Sequence, residues 1–206
     1  MSELITNKIT PGSGSSDTVT MGDASDTFNF PSGVTVTAHS GATVSGFGTD
    51  VKAGTAQATT SGTSVTFSSI PTGTKRIDVI FNEVSENTGQ DLKLQIGDSG
   101  GIETSSYNSK AARLEGSAQG VSSATDSFII QFGVAGAALS GVYSLFLVDS
   151  SNHDWVGSCA FAKNDSSNAS VTGGGFKSLS AELTQLKVLI ASGAFDAGEI
   201  NIHYWS

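Results

Sequence analysis

At 206 residues the chain has room for one or two domains, and its 37% apolar content is too high for a disordered chain. Only 14% of residues are charged and 25 are glycine, so solubility rests on Ser, Thr, Asn and Gly. Ten basic against 19 acidic residues give a net charge of −9, which repels nucleic-acid backbones and anionic membrane surfaces.

The chain opens Met1-Ser2-Glu3-Leu4-Ile5, without the basic patch and apolar run of a secretory signal, so synthesis in a cytoplasm is expected. Residues 1–50 then carry short β-prone pieces around Val19 and Met21, Phe28 and Phe30, and Val34 and Val36, punctuated by turn-forming Gly, Pro and Ser. Each piece has one apolar edge, too little to bury alone. Two readings stay open: a short stalk of stacked β-repeats completed by partner copies, or an extended arm laid on a neighbouring protein. Residues 51–64 are small, polar and almost uncharged, and read as a linker or a first edge strand.

From Val65 onward the strand signals strengthen. Leu92, Leu94 and Ile96 fall on one face and Lys93 and Gln95 on the other, the period of two of a half-buried strand. Similar signals occur at 65–67, 77–81, 128–132, 142–148, 154–162, 183–190 and 199–205. None of these apolar stretches approaches the ~20 residues of a membrane-spanning helix, and no membrane insertion is expected. The one stretch with helical character is 109–115, which stops at Gly116. An all-β chain is therefore expected: an antiparallel β-sandwich or jelly-roll-like domain over 65–206, preceded by the N-terminal stalk or arm.

Chemistry-bearing motifs are few. Gly97-Asp98-Ser99-Gly100-Gly101 matches the segment around a serine-protease nucleophile and the nucleophile-elbow pattern. A protease order needs an upstream histidine, and only His39, in the turn-rich segment, is available. The elbow order could draw on Asp126, Asp149, His153 and His203, but an elbow requires a strand-to-helix turn that this chain lacks. A tight turn is the better reading, so no catalytic residue is expected and a serine hydrolase using Ser99 is a remote alternative. The three histidines, His39, His153 and His203, have no metal-ligand spacing, and Asp149 to Asp154 lacks the glycine and glutamate of a calcium loop. Neither metal nor cofactor is expected.

Cys159 is the only cysteine, which excludes an intrachain disulfide, and in Cys159-Ala160-Phe161 it reads as a small buried hydrophobe. Asn164-Asp165-Ser166 and Asn168-Ala169-Ser170 match glycosylation sites but read as loop residues without a secretory route. Trp155, Tyr204 and Trp205 invite a sugar-binding reading, because such sites use flat apolar rings flanked by hydrogen-bonding groups; burial in the core or an interface competes with it.

The run from Ser61 through Ile70-Pro71-Thr72-Gly73 and Ile77-Asp78-Val79-Ile80-Phe81 to Ser85 resembles the opening of a C-terminal domain of tailed-phage tail fibre and other virion proteins. The segments 94–104 and 195–204 resemble its middle and last strands, and Leu4-Ile5-Thr6-Asn7-Lys8-Ile9-Thr10-Pro11 with the 17–30 repeats resembles the start of marine and cyanobacterial phage structural proteins.

The resemblance implies a non-enzymatic protein on the exterior of a phage particle, made in a bacterial host and assembled as a homotrimer. Residues 1–50 would bind other particle proteins, with Leu4, Ile5, Ile9, Val19, Phe28 and Phe30 as contacts. Only about 60 residues precede the domain, so a short tail fibre or knob fits better than a long fibre. The alternative is a capsid decoration or head-fibre protein. A host surface glycan or protein would be met by Tyr107, His153 and Trp155, on loops at 99–107, 150–155 and 164–175.

Overall fold

A computed structural model describes residues 51–116, 118–130, 133–164 and 169–206. The expectations for residues 1–50, including the contacts at Leu4, Ile5, Ile9, Val19, Phe28 and Phe30, lie outside the described residues, as do Gln131 and Phe132.

All regular structure among the described residues is β. The strands are β1 (Lys52–Ala53), β2 (Gln57–Ala58), β3 (Ser64–Phe67), β4 (Arg76–Glu86), β5 (Leu92–Asp98), β6 (Gly101–Ile102), β7 (Asn108–Glu115), β8 (Ala118–Ala124), β9 (Phe128–Ile130), β10 (Ala138–Asp149), β11 (Asp154–Asn164), β12 (Ser170–Ser178), β13 (Gln185–Leu189) and β14 (Phe195–Trp205). They form two antiparallel sheets. The large sheet runs β1-β14-β4-β10-β11-β12-β7-β8, with β2 also on β14; the small one runs β3-β13-β5-β6, with β9 also on β5. No helix among the described residues is long and apolar enough to cross a membrane.

Period-two patterning builds the core. Ile77, Val79 and Phe81 of β4, Leu139, Tyr143 and Leu145 of β10, Trp155, Cys159 and Phe161 of β11, and Ile200 and Ile202 of β14 all point inward. The small sheet returns Leu92, Leu94 and Ile96 of β5, Leu186 and Val188 of β13, Val65 and Phe67 of β3, and Phe128 and Ile130 of β9. Edge-to-face ring contacts, Phe81 on Phe161 at 5.0 Å and Tyr107 on Phe128 at 5.1 Å, fill the interior.

Residues 109–115 form β7 and not a helix. Seven residues of helical propensity cannot offset the cost of nucleation. As a strand, the segment pairs with β12 on one edge and β8 on the other. Ser109 stitches it to both sheets, its Oγ accepting from Ile129 N at 2.9 Å and donating to Gly174 O at 3.3 Å. Residues 51–64 carry β1 and β2 along β14, and Thr59, fully buried, donates its hydroxyl to Ala197 O at 2.7 Å.

Burial sets the response to alkali. It pushes the Cys159 thiol up from 9.0 to about 12 and raises the Tyr107 and Tyr143 hydroxyls well above their ordinary 10.0. Each group keeps its proton in the folded chain where the unfolded chain has lost it, so stability is full below pH 9 and falls as pH rises through 9 to 12. Urea unfolding at pH 7, 9 and 10.5 should show this decline, and a midpoint constant to pH 10.5 would contradict it. Cys159 should resist a thiol reagent at pH 8 until the chain is unfolded. The Tyr143 hydroxyl is buried without a partner among the described residues. Tyr143→Phe should therefore be neutral or stabilising by up to about 1 kcal/mol in the same assay.

Candidate functional site

Strand ends of both sheets converge at one end of the sandwich: the close of β5, β10, β12 and β14 and the start of β4, β11 and β13. The loops at 99–107 and 150–155 lie here. Of the third candidate segment, 164–175, Ser170 to Gly175 belong to β12, while 165–168 lie outside the described residues; Asn164 closes β11 and Ser170 opens β12 at the opposite end, where Lys163 N bonds Ala169 O.

The Gly-Asp-Ser-Gly-Gly segment is the β5–β6 hairpin turn. Gly97 pairs with Ile102 and Asp98 with Gly101, leaving Ser99 and Gly100 as the two-residue loop. The Asp98 carboxylate is consumed by structure: Oδ1 accepts from Gly100 N at 2.7 Å and Oδ2 from Ser180 Oγ at 2.5 Å. These bonds, the one from Ser180 first, hold its carboxyl below the usual range. Asp98, Gly100, Gly101, Glu103, Thr104 and Ser180 line the open depression beside the turn, with no histidine among its lining residues. His203 stands in the large sheet between Asp78 and Ala53, and His153 in the β10–β11 turn. The turn's demands fall on two other glycines. Gly101 has φ of +125°, and a Cβ on Gly97 would sit 2.2 Å from Gly101 O.

Tyr107 is not surface-facing. It lies at the edge of the core, 3% exposed, with its hydroxyl accepting from Ile96 N at 2.9 Å and donating toward Glu103 O at 3.0 Å. The buried Lys177 ammonium stands 5.3 Å above its ring and pairs with Glu103. Trp155 is not surface-facing either, because it takes an inward position of β11 and is 1% exposed.

Trp155 does share a cleft with His153. The cavity, about 290 Å³, is bordered by the β3–β4 loop at Gly73 to Lys75, by Leu147, Ser150 and His153 around the β10–β11 turn, and by Glu182 and Leu183. Asp149 shapes that turn by accepting from Ser151 N at 2.7 Å and from Asn152 Nδ2 at 3.0 Å, which lowers its own pKa. His153 is held half-buried at φ +53°, a left-handed conformation uncommon for a non-glycine residue. Lys75 and Glu182 carried no sequence signal, since Lys75 lies beside Arg76 at the start of a strand and Glu182 is a lone charge in a loop.

A second feature was also silent in the sequence. Register sets Trp205 opposite Arg76, Arg76 opposite Phe146, Phe146 opposite Val156 and Val156 opposite Phe176. The result is a row across five strands on the outer face of the large sheet, apolar at every position but Arg76. Phe146, Val156 and Phe176 are 38%, 37% and 41% exposed, and the Arg76 guanidinium lies 4.5 Å from the Trp205 ring and 5.1 Å from Phe146. Among the described residues no group of three His, Cys, Asp or Glu side chains could hold a metal ion.

Comparison with protein-family models, with curated proteins and with solved structures finds no match to this chain.

The hairpin geometry fixes a mutational order. Ser99→Ala should change stability by less than about 0.5 kcal/mol, as expected for a surface turn residue. Gly97→Ala should cost about 2–4 kcal/mol by collision with backbone, and Gly100→Ala less than about 1 kcal/mol, since Gly100 does not have positive φ. Equal losses at 97 and 100 in urea titrations would contradict this turn. A serine-directed phosphonate should leave Ser99 unlabelled.

Proposed function

We propose that the chain is a non-enzymatic structural protein of a tailed-phage particle, a homotrimeric short fibre or knob. Residues 1–50 bind neighbouring particle proteins, and the sandwich faces outward to touch the host surface. The phage assignment rests on the sequence resemblance. The contact role rests on one observation, the exposed apolar row from Trp205 to Phe176, since contiguous apolar surface of this kind marks an interaction site. The net charge of −9 argues for a protein or glycan partner over nucleic acid or an anionic membrane.

Light scattering of the purified chain should give about three times the 20.9 kDa of one copy, and a single-copy mass would overturn the trimer. Immunogold labelling with an antibody to the sandwich should decorate tail tips. Label on heads would replace the fibre with a capsid decoration protein, and unlabelled particles would overturn the assignment. Phe176→Glu, at an exposed position, should leave the fold intact and weaken adsorption to host cells about tenfold, the size of effect seen at interface hot spots.

A further inference from the structure

We infer that the cleft between Lys75, His153 and Glu182 binds one ring of a neutral saccharide. This deepens the host-contact role proposed above and rests on it. The cavity of about 290 Å³ is near the lower end for ligand pockets, the scale of a single sugar ring. Leu147, Leu183 and Trp155 give it an apolar wall and Lys75, His153, Ser150 and Glu182 a polar rim. A pyranose has the matching division, with C–H faces for the wall and hydroxyls for the rim.

Two observations narrow the ligand. Glu182 is exposed and uses Oε1 to accept from Gly73 N, while its other carboxylate oxygen has no donor among the described residues. A carboxylate fixed in this way accepts from sugar hydroxyls. His153 holds strained backbone, of the kind that persists at binding sites, and its carbonyl is pinned by Leu179 N at 3.1 Å. The charges of Lys75 and Glu182 cancel, so the rim favours a neutral ligand over a phosphate or an amine.

The test is saturation-transfer NMR on the full chain with free glucose, galactose, mannose and N-acetylglucosamine at millimolar concentration. At least one should bind saturably. Glu182→Gln, at an exposed position, should weaken that binding at least fivefold with unchanged circular dichroism. Ser99→Ala should bind as the parent does. Overturning results are a panel in which no sugar saturates, or a sugar whose affinity is unchanged in Glu182→Gln. Particle labelling is read separately. Labelled tails with no sugar binding would sink the cleft and leave the particle assignment, and sugar binding by a chain absent from particles would do the reverse.

Discussion

Register in the large sheet is the constraint on which the rest of the molecule depends. Pairing Gly141 with Phe161, Tyr143 with Cys159 and Leu147 with Trp155 fixes which half of β10 and β11 faces the small sheet. A slip of one residue would turn Trp155, Cys159 and Phe161 to solvent and drive Val156, Ser158 and Ala160 into the core. The core enforces one choice, because Trp155, Tyr143 and Phe81 are among its largest fully buried side chains and no other alternation buries all three. The outer row and the end cleft are by-products of that choice. Phe146, Val156 and Phe176 meet because their neighbours in sequence are inward.

Much of the architecture was legible in the residues. The alternation of Leu92, Leu94 and Ile96 marks β5, and β4, β10, β11 and β14 each contain the stretch that the sequence singles out, though every one runs longer. The extra length is polar or glycine-rich, as at Asn82 to Glu86, where pattern says little and pairing with β14 decides. Cys159 was readable as a core residue because its partner at i+2 is Phe161. The segment 109–115 was not readable, since Lys, Ala, Arg, Leu and Glu are good helix formers and only the flanking strands β8 and β12 make it β.

The site was less legible for a related reason. The sequence placed Trp155 near a turn and so near the surface, although the alternation that turns Cys159 and Phe161 inward carries back to Trp155 and turns it inward as well. His153 and Trp155 reach the same cleft, but through different relations to it: the imidazole from a strained turn, the indole from the core behind. Tyr107 looked like a loop aromatic, yet its hydroxyl closes the backbone of Ile96 and carries the buried Lys177 above its ring. The Gly-Asp-Ser-Gly-Gly segment forms the β5–β6 hairpin turn and not a strand-to-helix elbow. An aspartate whose two oxygens are taken by Gly100 N and Ser180 Oγ is a turn clamp, and the depression beside the two-residue hairpin loop has no histidine among its lining residues.

The low charge content follows from the same outer face. Along β11 the outward positions from Val156 to Ala162 are Val156, Ser158, Ala160 and Ala162, and those opposite them along β12 are Ser170, Thr172, Gly174 and Phe176, with no charge among these eight; Asp154 follows only at the end of the strand. Small side chains keep this face flat, so Phe146 and Phe176 stand clear of their surroundings. A flat, weakly charged sheet invites edge-to-edge association unless its edges are blunted. Here one edge is closed by the two-residue strands β1 and β2, too short to template another chain. Arg76 caps the row at its β14 side, stacked between Trp205 and Phe146 and paired with Asp78 at 2.8 Å. The opposite edge is the longer strand β8, which pairs with β7 alone among the described residues, so only the β14 side of the large sheet is blunted in this way.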